Sequence, residues 1–135
     1  KYYLPYHGEL EKLIRSLKKE FGAVLLFDAH SIKRNVPTIQ SEPFPDMILG
    51  NQDGKTASSE LFTTALSGLN SGFFEASSNH PFKGGHITRS FGDLENDVHA
   101  LQLEMSQDVY MDESTNNRDL QKERSTSYVS VIKSL

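Results

Sequence analysis

A histidine that follows one apolar run and a glutamate set inside another are the residues best placed to do chemistry in this sequence. His30 closes the stretch Ala23-Val24-Leu25-Leu26-Phe27-Asp28-Ala29-His30, and Glu104 lies near the carboxyl end of the run over residues 98–105. Imidazole is the commonest side-chain ligand for a metal, and a carboxylate in a partly dry cleft can act as general base towards water. In open α/β sheets, functional groups gather beyond the carboxyl ends of the strands. One sheet holding both runs would therefore bring His30 and Glu104 to the same edge. Each residue also has a plainer reading: a hydrogen-bonded structural histidine, and a carboxylate held in an ion pair.

A second stretch, Asn79-His80-Pro81-Phe82-Lys83-Gly84-Gly85-His86-Ile87-Thr88-Arg89, combines paired glycines with several polar side chains. Glycines let a backbone approach a ligand closely, and the planar fork of Arg89 suits a carboxylate. A surface turn with a solvated arginine is the alternative. No HExxH motif is present, and His7, His80, His86 and His99 have no ligand spacing. Because catalytic zinc takes three protein ligands and leaves a position for water, a complete metal site is not visible in the sequence. Ser31 follows His30, but it lacks the glycines of a nucleophile elbow, which ranks serine hydrolysis below metal-assisted hydrolysis.

The elements that must position these groups follow from periodicity. Leu10, Leu13, Ile14, Leu17 and Phe21 recur at helical spacing over residues 5–21, with Gly22 as the stop. The continuous apolar run over residues 23–27 reads as a strand buried on both faces. Residues 32–45, with Pro37, Pro43 and Pro45, read as an extended loop in which Lys33, Arg34 and Glu42 are solvated. A short strand at 47–49, a helix over 57–69, a strand at 72–76 and a glycine-rich loop over 77–92 come next. The last core strand spans 98–105, with His99 and Gln102 as polar intrusions, and a diluted helical pattern occupies 118–135. Helices alternating with buried strands predict a single α/β unit.

Composition excludes several functions. The formal net charge of -4 over 135 residues argues against phosphate recognition, which needs concentrated Lys and Arg. The one basic cluster, Lys12, Arg15, Lys18 and Lys19, has the spacing of a helix's wet face. No cysteine is present, so there is neither disulfide framework nor thiol chemistry, in keeping with the cytoplasm. The longest apolar run is far too short to span a bilayer. The chain opens on Lys1 with a helical pattern almost at once, which reads as the middle of a longer protein.

Taken in order, Pro5-Tyr6-His7, Phe21-Gly22, Asp28-Ala29-His30-Ser31-Ile32, Pro45-Asp46, Leu49-Gly50, Asn79 with Phe82 to Arg89, Phe91-Gly92, His99-Ala100, Gln102-Leu103-Glu104 and Tyr110-Met111 resemble the N-formylglutamate deformylase and amidohydrolase family. The resemblance covers most of the chain and weakens after Glu113. It implies a three-layer α/β/α fold with a mixed sheet, like that of zinc carboxypeptidases, and incomplete here. The 135 residues would be the C-terminal part of one amidohydrolase domain whose N-terminal half carries the remaining metal ligands. An unprotected sheet edge would follow.

Carried over by position, His30 is the expected metal ligand and Glu104 the general base. Arg89 would hold a substrate carboxylate, Asn79, Lys83 and His86 would shape the pocket, and Asp28 would orient the metal site from outside. The metal implied is zinc, with cobalt or manganese as alternatives. The implied reaction is hydrolysis of N-formyl-L-glutamate, or a related acyl amino acid, to formate and L-glutamate in histidine degradation. The expected partners are that small-molecule substrate and the chain's own N-terminal half, with no nucleic acid and no membrane. A non-catalytic binding domain derived from the same fold is the competing reading.

Overall fold

The computed structural model describes residues 1–111. Helix α1, Tyr3–Phe21, turns Leu10, Ile14 and Leu17 inward and ends at Gly22, whose φ of 81° and N–H to the Lys18 carbonyl close the last turn. Its outer face carries the basic cluster as the spacing predicts: Lys12 pairs with Glu9 at 2.7 Å, and Arg15 with Glu11. Among the described residues no helix is long and apolar enough to cross a membrane.

Four strands form one mixed sheet in the order β1-β4-β2-β3: Val24–Ile32, Val98–Ser106, Met47–Gly50 and Ala76–Ser78. β1 runs parallel to β4, β2 runs antiparallel to β4, and β3 runs parallel to β2. Helix α2, Ser59–Leu69, begins where the Ser58 hydroxyl accepts the Leu61 N–H, and buries Ala65 and Leu69 against Met47, Leu49, Leu101, Leu103 and Met105. On the opposite face α1 packs Ile14 on Val24 and Val98, with Leu26 and Phe91 beside them. Phe91 ends the short helix α3, His86–Phe91, so two helices cover one face and α2 the other. Three layers around a mixed sheet result, as the resemblance implies.

Several expectations give way. The run at 23–27 is not buried on both faces: β1 is an edge of the described sheet and Leu25 is 37% exposed. The same strand continues to Ile32, because its hydrogen-bonded register with β4 runs unbroken from Val24↔Val98 to Ile32↔Ser106, so Asp28 and His30 lie within it. Residues 72–75 form a turn that leaves Phe73 90% exposed, and pairing with β2 begins only at Ala76. The glycine-rich loop over 77–92 contains α3, nucleated where Thr88 Oγ1 donates to the Gly85 carbonyl at 2.9 Å. The helical pattern at 118–135 lies outside the described residues.

Residues 33–46 run without regular structure, but Arg34 is not solvated. Its Nε and Nη2 reach both carboxylate oxygens of Asp108 at 2.8 Å, while Nη1 donates to the Phe44 carbonyl and Nη2 to Asp46. These partners hold its pKa above the ordinary arginine value, the Asp108 hydrogen bond contributing most. A planar five-donor fork satisfied on three sides ties this loop to the end of β4.

Candidate active site

The alternation of a strand assigns the site to one face of β4. Leu101, Leu103 and Met105 enter the core with α2, so Gln102 and Glu104 emerge on the side of α1. Parallel pairing sets Asp28 opposite Gln102 and His30 opposite Glu104. Helix α1 covers only the Val24, Leu26 and Val98 half of that face, which leaves these four polar residues uncovered by its apolar stripe. Ile48 and Gly50 of β2, paired with Glu104 and Gln102, extend the same surface.

Asp28 and His30, two residues apart on one strand, interact directly: His30 Nε2 lies 2.9 Å from Asp28 Oδ1. Asp28 is largely shielded, 17% exposed, whereas His30 is half open. Gln102 Nε2 lies 3.4 Å from Glu104 Oε2. Burial pushes the Glu104 carboxyl above the usual carboxylate range; the charge of His30 and the Gln102 amide pull it down, and Asp28 adds to the rise. Asp28 Oδ2 and Gln102 Oε1 are buried without a hydrogen-bond partner among the described residues.

A metal fits this donor set in part. With Nε2–H given to Asp28, His30 keeps the lone pair of Nδ1, the carboxylate-histidine arrangement that commonly backs a metal ligand. Among the described residues no three His, Cys, Asp or Glu side chains are grouped to hold an ion. His30 would be one ligand of a set completed from elsewhere.

The glycine pair borders these groups. At Gly50 an added Cβ would run into the backbone of Lys83 and Gly84, and at Gly85 it would lie 2.7 Å from Gln102 Oε1. Lys83 and Gly84 therefore cross β2 where it lacks a side chain, and Gly85 reaches Gln102. Gln52 pins the crossing, its N–H donating to the Lys83 carbonyl and its Nε2 to that of Gly84, both at 2.7 Å. Phe44, fully buried, packs at a tilt against Phe82 with ring centroids 5.3 Å apart, so the loop anchored by Arg34 supports this wall.

The remaining sequence candidates separate. Arg89 is exposed on α3, with Nη1 3.3 Å from the Gly84 carbonyl and no carboxylate partner among the described residues. Asn79, at φ 53°, accepts the Asn51 N–H and donates to Asn51 Oδ1, both at 2.9 Å. Lys83 pairs with Asp53 at 2.6 Å. His86 faces α1, where Tyr3 Oη lies 2.5 Å from its Nε2 and the His7 ring 5.2 Å from its own. Of the sequence candidates, only Asp28, His30 and Glu104 share the face formed by the paired strands β1 and β4, and His30 touches Asp28. Gln102 was visible as a polar intrusion in an apolar strand, but its role at the centre of the face depends on register.

The model of the N-formylglutamate amidohydrolase family matches residues 1–111. The chain belongs to that family. An N-formylglutamate deformylase of Pseudomonas putida is 39% identical over 112 residues, 82% of this chain and 42% of its own length. The N-formylglutamate deformylase of Pseudomonas aeruginosa PAO1 is 42% identical over 111 residues, 81% of this chain and 41% of its own. The crystal structure of N-formylglutamate amidohydrolase from Ralstonia eutropha JMP134 superposes with a TM-score of 0.82 at 26% identity, covering 96% of this chain and 48% of that one. The chain thus spans about two-fifths of the length of these N-formylglutamate amidohydrolase relatives.

Proposed function

We propose that this chain supplies part of the active site of an enzyme that hydrolyses N-formyl-L-glutamate to formate and L-glutamate. The observation that carries the reading is the register pairing of His30 with Glu104, backed by Asp28 and bordered by the Gly84-Gly85 crossing, in a chain whose relatives are deformylases. A divalent metal, zinc foremost with cobalt or manganese as alternatives, would be held by His30 together with ligands from outside the described residues; it would polarise the formyl carbonyl and acidify the attacking water.

The chain's own residues account for the proton and the substrate's orientation. Glu104, held above the usual carboxylate range by burial, is a stronger base than a solvated glutamate. It takes a proton from the water that attacks the formyl carbon and passes it to the amide nitrogen as the C–N bond breaks, releasing formate and the amine of glutamate. Asp28 keeps the imidazole in one tautomer and orientation. Arg89, with no carboxylate partner among the described residues, receives a carboxylate of the glutamate moiety; Asn79 and Lys83, through Asn51 and Asp53, hold the walls behind it. A cytoplasmic location and a place in histidine degradation belong to the same reading.

Formate release from N-formyl-L-glutamate tests it, with and without added zinc or cobalt, in this chain alone and in this chain joined to the part of a relative that its match leaves uncovered. Metal-dependent release confined to the joined protein is expected. No release from either replaces hydrolysis with the binding-domain reading.

A further inference from the structure

His30 and Glu104 are each preceded, two positions earlier on the same strand, by a more deeply buried polar residue that touches them. On β1, Asp28 Oδ1 lies 2.9 Å from His30 Nε2; on β4, Gln102 Nε2 donates to Glu104 Oε2 at 3.4 Å. The register sets Asp28 opposite Gln102 and His30 opposite Glu104, so the four make an inner and an outer row across the paired strands. A carboxylate behind a histidine fixes the ring. Gln102 stands to Glu104 as Asp28 stands to His30.

Gln102 is a costly residue for its place. It is 7% exposed between the fully buried Leu101 and Leu103, and its Oε1 has no hydrogen-bond partner among the described residues. An unpaired buried acceptor lowers stability, so an apolar side chain of the same size would suit the strand better. The setting of the amide supplies a reason for keeping it. Nε2 faces the carboxylate, where reversal would set oxygen against oxygen, and Oε1 lies against Gly85, where an added Cβ would come within 2.7 Å. Gly85 has φ -100° and ψ -159°, extended backbone open to any residue, so the close approach to Gln102 is what calls for glycine there. Its carbonyl is held in turn by the Arg89 N–H and Thr88 Oγ1. At 3.4 Å the Gln102 contact is long, as hydrogen bonds at catalytic groups often are outside the reacting complex.

We propose that Gln102 is a positioning residue for Glu104: kept in one orientation under Gly85, its amide fixes the carboxylate beside His30. It acts through Glu104, since its own oxygen is buried and closed to substrate. The inference rests on the hydrolytic reading, in which Glu104 moves the proton.

Gln102→Met keeps the length and removes the donor. In the 135-residue chain its urea midpoint should be no lower than the parent's, because the unpaired oxygen it removes outweighs one long hydrogen bond to a partly exposed carboxylate. In the joined protein kcat for formate release should fall by about 10–100-fold, the usual effect of losing a hydrogen-bond partner behind a site residue, with KM unchanged. A residue that only stabilises the fold would lose midpoint and activity together, and one that binds substrate would raise KM; either result overturns the proposal. Gly85→Ala should lower kcat in the parent and add nothing in a Gln102→Ala background, since both changes act on one amide. Additive losses overturn it too, and if Gly85→Ala does not fold, Gln102→Met decides alone. Should the unmodified joined protein release no formate, the hydrolytic reading falls, and the contact is read in the 135-residue chain instead. There the side-chain amide proton signals of Gln102 should move in Glu104→Leu, and signals indifferent to that change overturn the proposal.

Discussion

Glu104 is held in two opposing ways. Burial disfavours its charge, while the proposed chemistry uses the carboxylate form. A folded-state pKa above the unfolded one means that the stability this group contributes is present below the unfolded pKa and lost as pH rises through the folded value. In the metal-free chain, Glu104→Gln is therefore expected to unfold at higher temperature than the parent near neutral pH, with the gap closing below about pH 4. The same change in the joined protein should lower formate release by about 10²–10⁴-fold, the usual contribution of a general base. A variant that loses stability at neutral pH as well as activity would show Glu104 to be a structural ion-pair member. His30 and Glu104 were legible singly as polar residues at the ends of apolar runs. Their direct pairing, and the Asp28 contact behind them, depend on a register that no local pattern encodes.

At the scale of elements, the crossing of Lys83 and Gly84 over Gly50 joins β2 to the glycine-rich segment. Any side chain at position 50 would strike backbone rather than a yielding side-chain tip. Gly50→Ala is expected to destabilise the chain by about 1–3 kcal/mol, the range for forced overpacking, read as a lower urea midpoint. In the joined protein it should also raise KM for N-formyl-L-glutamate, because the displaced loop carries Arg89's anchor at the Gly84 carbonyl. An unchanged midpoint would mean that the loop moves aside freely. Helices α1 and α2 could be read from periodicity, although the α1 stripe is narrower than its spacing predicts: Leu10, Ile14 and Leu17 face the sheet, whereas Leu13 and Phe21 are exposed. The boundaries of β3 and the helix α3 could not: Ala-Ser-Ser has little strand character, and a six-residue helix inside a glycine-rich run is specified by packing of Thr88 and Phe91. Arg34, which looked like loop decoration, found Asp46 and Asp108 from segments 12 and 74 residues away.

Across the whole molecule, the layers divide duties along one strand. Alternate residues of β4 send Leu101, Leu103 and Met105 into the core with α2 and Gln102 and Glu104 to the opposite side. The three-layer plan was legible from alternating helices and strands, but the placement of β1 at an edge of the described sheet was not, since an apolar run reads the same with one strand neighbour as with two. Core and reactive groups are thus separated by a single thickness of peptide. Such a membrane-thin partition leaves no hinge or buffer between them: a shift that loosens Leu103 reaches Glu104 through one Cα. Catalysis in the joined protein should then work as a gauge of interior order, with formate release and far-ultraviolet circular dichroism lost along one shared curve in urea.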